Sequence, residues 1–267
     1  MKYKLVATDV DGTLVNDRSV FTPRTLTAVR DAVDAGVIFV VATGRPMCAA
    51  EELTTLTDKD MPIILYNGAT VFMSKSRKVL THDYLDFDLA KEVYEMSIAR
   101  NVASALWVDE HLMATRNCKF VKAYQSLSDV DVTIISDMEA VRGHGISKIV
   151  WLDTTEVIAR LQTEMKEHFG DRLNCHFALA QVLEFVGPET SKAKALAEIG
   201  RMYGIDRSEM IAIGDGFNDI SMIRYAGLGV AVDNAPAGVR DAADYVTLSN
   251  NDDGVADVIE KFILSNG

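Results

Sequence analysis

The ten residues Lys4-Leu5-Val6-Ala7-Thr8-Asp9-Val10-Asp11-Gly12-Thr13 decide how the rest of the chain is read. An apolar run that stops at Asp and Gly reads as a buried strand ending in a loop. The pattern recurs downstream: residues 37–42, Val-Ile-Phe-Val-Val-Ala, stop at Thr43-Gly44-Arg45-Pro46, and residues 62–66, Pro-Ile-Ile-Leu-Tyr, stop at Asn67-Gly68. Runs this continuously apolar suit strands covered on both faces, as in a parallel sheet. Between the first two strands Thr22 caps a helix that Pro23 opens, Leu26, Val29 and Val33 mark its inner face, and Gly36 ends it. A second helix is expected from the Thr43–Pro46 turn to about Leu56. Strand-helix-strand alternation of this kind is the signal of a doubly wound α/β domain.

The texture changes near Asp83. Within residues 84–187 the patterns predict a helix over 88–100, a hairpin around Asp109-Glu110, a helix near Phe120, a strand over 146–152, a helix over 155–169, and strands near 173–178 and 182–186. Strands come in pairs here, which reads as an α+β domain with an open, largely antiparallel sheet. From Pro188 the parallel pattern returns. A helix over about 191–203 precedes Met210-Ile211-Ala212-Ile213, which runs into Gly214-Asp215-Gly216-Phe217-Asn218-Asp219; further strands are expected at 228–232 and 245–248, then a closing helix. The expected architecture is therefore α/β: a Rossmann-like parallel core from residues 1–83 and 188–267, with residues 84–187 inserted as a second, α+β domain.

The 267 residues carry 27 basic against 39 acidic side chains, a net charge of −12. A surface of that sign repels nucleic acid and anionic membranes, so neither is an expected partner. No apolar run approaches the roughly 20 residues of a membrane helix, and the N-terminal residues lack the pattern of a signal peptide. Three scattered cysteines, Cys48, Cys118 and Cys175, suit a reducing compartment better than a disulfide framework. The expectation is a cytoplasmic, soluble protein.

Chemistry gathers at strand ends. In an open parallel sheet, ligands bind at the carboxyl ends of the strands, and here those ends carry Asp9 and Asp11, Thr43 to Arg45, and Asp215 to Asp219. Clustered carboxylates repel one another unless a cation joins them. Hard oxygen ligands with no histidine partner suit Mg²⁺. A carboxylate is also a nucleophile toward phosphorus, and Asp11, two residues beyond Asp9, is placed to protonate a leaving oxygen and then activate water. Each piece has a plainer reading alone: solvated acids on a turn, an ordinary helix start at Thr43, a surface lysine at Lys192. The coincidence of the Asp9–Thr13 turn with the acidic loop at Asp215 argues against the first of these, whereas Lys192 is singled out only by a family pattern.

Asp9-Val10-Asp11-Gly12-Thr13, Thr43-Gly44-Arg45, Lys192 and Gly214-Asp215-Gly216-Phe217-Asn218-Asp219 resemble, in order, the four motifs of the haloacid dehalogenase superfamily. The large insert between the second and third is similar to the α/β cap of its Cof-type metabolite phosphatases. The resemblance spans the whole chain and implies roles residue by residue. Asp9 matches the nucleophile and a Mg²⁺ ligand, Asp11 the acid/base whose carbonyl also meets the metal, and Asp215 the third protein ligand. Val10, Thr43, Gly44, Lys192 and Asn218 match phosphate-binding positions; Arg45 and Asp219 match supporting ones. The family usually has Lys-Gly at the third motif, whereas this chain has Lys192-Ala193. The implied activity is Mg²⁺-dependent hydrolysis of a small phosphorylated metabolite through an aspartyl-phosphate, with a sugar phosphate first and a cofactor phosphate such as pyridoxal phosphate or flavin mononucleotide second. A phosphomutase using the same nucleophile is the alternative; a non-catalytic phospho-aspartate module is disfavoured by Asp11. Oligomeric state is not encoded in any of these features.

Overall fold

The structure, a computed structural model, describes residues 2–128 and 130–265. In chain order its elements are β1 (Leu5–Thr8), α1 (Pro23–Asp34), β2 (Ile38–Ala42), β3 (Pro62–Leu65), β4 (Thr70–Met73), β5 (Val79–His82), α2 (Phe87–Ala99), β6 (Ala103–Val108), β7 (His111–Ala114), α3 (Lys119–Gln125) and β8 (Val132–Ile134). They continue with β9 (Ile146–Leu152), α4 (Thr155–Phe169), β10 (Asn174–Leu179), β11 (Val182–Val186), α5 (Lys192–Tyr203), β12 (Met210–Gly214), α6 (Ile220–Tyr225), β13 (Leu228–Ala231), α7 (Ala237–Arg240), β14 (Tyr245–Val246) and α8 (Gly254–Ile259). No helix among the described residues is long and apolar enough to cross a membrane.

The chain divides into two compact units. One comprises Met1–Thr43, Glu51–Thr81 and Ser191–Gly267; the other comprises Gly44–Ala50 and His82–Thr190. The short segment Gly44–Ala50, which directly follows β2, is grouped with the second unit.

In the first unit an eight-stranded sheet has the order β14-β13-β12-β1-β2-β3-β4-β5. β1 pairs in parallel with β2 on one side and β12 on the other, and β3 extends the parallel run. The chain winds outward from β1 through β2 and β3, then returns to build β12, β13 and β14 on the opposite side. The order therefore switches between β1 and β12, where an open α/β sheet has its crevice. β1, β3 and β12 are buried throughout, as their unbroken apolar character requires. Leu5, Ala7, Val40, Ala42 and Ile64 pack one sheet face against Ala195, Leu196 and Ile199 of α5.

Local signals account for the helix ends. Thr22 Oγ1 accepts from Thr25 N at 3.1 Å ahead of Pro23, and Ser191 Oγ accepts from Lys194 N at 3.2 Å at the start of α5. The buried stripe of α1 is Thr25, Ala28, Val29, Ala32 and Val33; Leu26, expected inside, is only half-buried, because it falls at the edge of that stripe on the helix. The helix expected up to Leu56 is a 3₁₀ segment, Met47–Thr55. Thr54 and Thr55 hydroxyls each donate at 2.7 Å to carbonyls three residues back, Glu51 and Glu52, a local alternative to the α pattern.

In the second unit a six-stranded sheet has the order β10-β11-β9-β6-β7-β8. All its pairs are antiparallel except β7 with β8, the short strand that sequence patterns did not reveal. One face carries the core: Leu106, Ile149, Trp151, Leu183 and Phe185 pack with Val93 of α2 and with Ile158 and Leu161 of α4. Because successive strand residues alternate faces, Trp107, Lys148 and Glu184 lie on the other. α3 lies against β6 and β9, and Trp107 Nε1 donates to Tyr124 Oη of α3 at 3.1 Å.

Candidate active site

The switch point sets four strand ends in a row. Asp9 follows β1, Asp215 follows β12, Thr43 follows β2 and Asn67 follows β3. The turn Val10–Leu14 after β1 folds back because Gly12 adopts φ +79, a conformation that costs glycine little. A side chain there would also strike Asp215: an added Cβ would lie 2.5 Å from its Oδ2. Thr13 Oγ1 donates to Asp215 Oδ1 at 2.9 Å, tying the two strand ends together.

Lys192 is the centre of the cluster. It is fully buried at the first position of α5. Its Nζ donates to Asp9 Oδ1 at 2.5 Å and to Asp219 Oδ1 at 2.6 Å. Ala193, where the resembling family has glycine, sits in the first turn of α5 without disturbing the Ser191 cap. The other oxygen of Asp219 accepts from the backbone N of Asp215 at 3.1 Å and of Gly216 at 2.8 Å. Asp219 thereby shapes the loop that presents Asp215. Asn218 Nδ2 donates to Asn67 Oδ1 at 3.0 Å.

Electrostatics follow from this crowding. Burial pushes the Asp9 carboxyl up to about 8, against the pull of Lys192 and with Asp219 and Asp215 adding repulsion. Burial also raises Asp215, opposed by its Thr13 hydrogen bond. Burial works to discharge Lys192, yet Asp219 and Asp9 together hold its ammonium above the usual lysine range. Asp9, Asp215 and Asp219 each offer an oxygen, all within 4.8 Å of one another.

Of the residues singled out from sequence, Asp9, Asp215, Asp219 and Lys192 come together directly, with Asn218 beside them on the loop after β12. Val10 and Asp11 follow Asp9 in the turn, Val10 buried and Asp11 exposed. Thr43 is buried at the end of β2; its N donates to Ile64 O at 2.9 Å and its O accepts from Asn67 N at 3.0 Å. Gly44 and Arg45 belong to the segment grouped with the second unit, where Arg45 Nη1 donates to Ala49 O at 3.2 Å.

Asn67 was read from sequence only as a turn residue. It is buried, left-handed at φ 57, and its side chain holds Asn218. Its signal was its place: it ends a buried strand, as Asp9, Thr43 and Asp215 do. Gly68 beside it has φ +115, and an added Cβ would lie 2.3 Å from Ser191 O. The turn after β3 thus sits directly on the capped end of α5 that carries Lys192.

Known proteins resemble the chain over nearly its whole length. Residues 6–259 match the sequence model of a family described as haloacid dehalogenase-like hydrolases. The 5-amino-6-(5-phospho-D-ribitylamino)uracil phosphatase YwtE of Bacillus subtilis is 28% identical, over 97% of this chain and 98% of that protein. A haloacid dehalogenase-like hydrolase from Bacteroides thetaiotaomicron superposes with a TM-score of 0.87 at 27% identity, over 98% of this chain and 100% of that one. The sugar phosphatase BT4131 does so with a TM-score of 0.81 at 26% identity, over 97% and 98%. With the match running through both units, the chain belongs to the haloacid dehalogenase-like hydrolases, in their Cof-type branch, and is a hydrolase of phosphoric monoesters.

Proposed function

We propose that the protein hydrolyses a small phosphomonoester, a sugar phosphate ahead of a cofactor phosphate, by passing the phosphoryl group first to Asp9 and then to water. The observation that carries this is the meeting of Asp9, Lys192, Asp215 and Asp219 at the switch between β1 and β12. An Asp9 oxygen attacks phosphorus and the bond to the leaving oxygen breaks. Asp11 gives that oxygen its proton, then takes one from the water that attacks the phospho-enzyme, and phosphate departs with Asp9 restored. Asp11 suits proton exchange because it is exposed on the turn directly after Asp9. Lys192, the Thr43 hydroxyl, the amides of Val10 and Gly44, and Asn218 are the proposed phosphate donors, with Arg45 in support.

The residues present fit Mg²⁺. Carboxyls held above their usual range at Asp9 and Asp215 mark a place short of positive charge. The ligand set is all oxygen, as Mg²⁺ prefers. Asp219 already accepts from Lys192 and two backbone amides, so Asp9, Asp215 and the Asp11 carbonyl are the proposed ligands and Asp219 supports them. When bound, the ion supplies charge neutralisation for the phosphoryl group and favours the ionised, nucleophilic Asp9.

The catalytic residues address only the phosphoryl group, so we assign discrimination among esters to residues 84–187. YwtE and BT4131 carry names that specify different small phosphate esters, which supports a small substrate and a sugar-like one. A net charge of −12 disfavours nucleic acid and anionic membranes as partners, and the scattered cysteines support a cytoplasmic setting. The test is phosphate release from a panel of sugar phosphates, pyridoxal phosphate and flavin mononucleotide, with Mg²⁺ and after exhaustive chelation. Release confined to the Mg²⁺ arm is expected; a protein inert to every ester defeats the proposal, and full activity after chelation defeats the Mg²⁺ assignment.

A further inference from the structure

The second unit buries a lysine that its packing does not require. Lys148 lies mid-strand in β9, whose seven residues are all buried, and is itself 4% exposed. Glu184 on β11 is 1% exposed, and its Oε2 accepts from Lys148 Nζ at 2.7 Å. A buried ion pair is no asset to stability, since well-packed apolar side chains often do as well or better in its place.

The partners of the ammonium suggest what the pair does. A lysine has three protons to donate. Glu184 takes one and the Tyr124 hydroxyl hydrogen-bonds to the group; both anchor it on its own sheet and on α3. A further bond leaves the sheet: Nζ donates to the carbonyl of Gly44 at 3.1 Å. Gly44 directly follows Thr43, and it has no side chain by which to be held. The segment it opens is held at a second point by Glu110 of the β6–β7 hairpin, whose Oε2 accepts from Met47 N at 3.3 Å. Because the peptide unit is planar, fixing the Gly44 carbonyl also fixes the direction of the Arg45 N–H.

We propose that Lys148 is a positioning residue for phosphoryl binding: through the Gly44 carbonyl it fixes the Gly44–Arg45 peptide, and Glu184 keeps it aimed. This rests on the phosphatase reading above, in which the Thr43 hydroxyl and the Gly44 amide bind the phosphoryl group and Arg45 supports them, so that holding the peptide on the far side of Gly44 holds Gly44 itself in place. The account also explains why a charged pair stands where apolar residues would pack. An apolar side chain cannot grip a carbonyl, and an unpaired lysine cannot stay buried.

The test compares wild-type protein with K148M/E184M, which removes both charges and leaves neither orphaned. The readouts are kcat and KM for p-nitrophenyl phosphate, the inhibition constant of inorganic phosphate, the Mg²⁺ concentration for half activity, and Tm. The expected result is a Tm at or above wild type, an unchanged Mg²⁺ requirement, and KM and the phosphate inhibition constant both raised by roughly tenfold, the scale of one lost oriented hydrogen bond. Should that variant fail to fold, K148R keeps the charge but misplaces its donors, and the same rise in both constants is expected of it. Wild-type phosphate affinity and KM in the folded variant overturn the positioning role while leaving the phosphatase reading intact. A wild-type protein that releases no phosphate from any ester overturns that reading, and this role with it.

Discussion

Each unit buries a lysine among carboxyl groups, and the two burials differ in their balance of charge. In the second unit Lys148 meets Glu184, whose other oxygen lies 3.4 Å from His176 Nε2. Burial there works against the Glu184 carboxylate, but Lys148 prevails and holds it well below its usual range, while the lysine is held above its own. In the first unit Lys192 meets Asp9 and Asp219 at once, with Asp215 close by, and Asp9 is left pushed up to about 8. The pair at Lys148 is electrostatically balanced and the cluster at Lys192 is not. Buried charge alone therefore does not single out a candidate site; a deficit of one sign does, because it leaves work for a cation and a place for an anion's charge to be met.

Substitutions test that contrast in order of expected size. Asp9→Asn keeps the shape of the side chain and removes the nucleophile; phosphate release should fall by about four orders of magnitude or more, and a purified variant with wild-type turnover would refute the assignment. Asp11→Asn should cost roughly 10²–10⁴-fold, the usual worth of a positioned acid/base, with kcat carrying the loss. Lys192→Ala should lower kcat/KM by about a hundredfold or more. Were its kinetics unchanged, the cluster would have been misread. Asn67→Gly keeps the left-handed backbone but frees the Asn218 amide, so a loss of about tenfold or less is expected.

The smallest effect is on stability, and the two lysine sites predict opposite slopes. Asp9 holds its proton in the folded, metal-free protein up to about pH 8, but in the unfolded chain only to 3.8. Stability from this group is whole below the unfolded value and is lost as pH rises through about 8. Glu184 has its folded value lowered from 4.5, so its contribution is present above that pH and lost as pH falls below it. Melting of the metal-free protein should therefore weaken as pH rises between about 4 and about 8 in wild type but not in Asp9→Asn, and added Mg²⁺ should flatten the wild-type slope. An acid limb that is unaltered in K148M/E184M would remove the second half of the contrast.

Much of the molecule was legible along the chain. The strand over 146–152, the helix over 155–169 and the hairpin about Asp109-Glu110 are written in periodicity and turn chemistry, which act over a few residues. So is the cap at Thr22. Asp9, Thr43, Lys192 and Asp215 stood out because each occupies a strand end or helix start that matches a motif. Elsewhere the local signals were too weak or too evenly matched. The 3₁₀ segment Met47–Thr55 has hydroxyls bonding back three residues at its end, and β8 spans only Val132–Ile134.

The α/β class and the family are carried by local pattern and by motifs short enough to read in one stretch, so both were legible along the chain. Tertiary structure alone decided that Asp219 braces the Asp215 loop through two amides, that Asn67 holds Asn218, and that Lys148 reaches from Glu184 to the Gly44 carbonyl. Each joins groups brought together by strand order, register or the path of a loop, and each matters because burial removes the water that would otherwise satisfy them. Neither partner's position along the chain reveals the other, because the energy that selects the pair exists only once the sheet has closed around it.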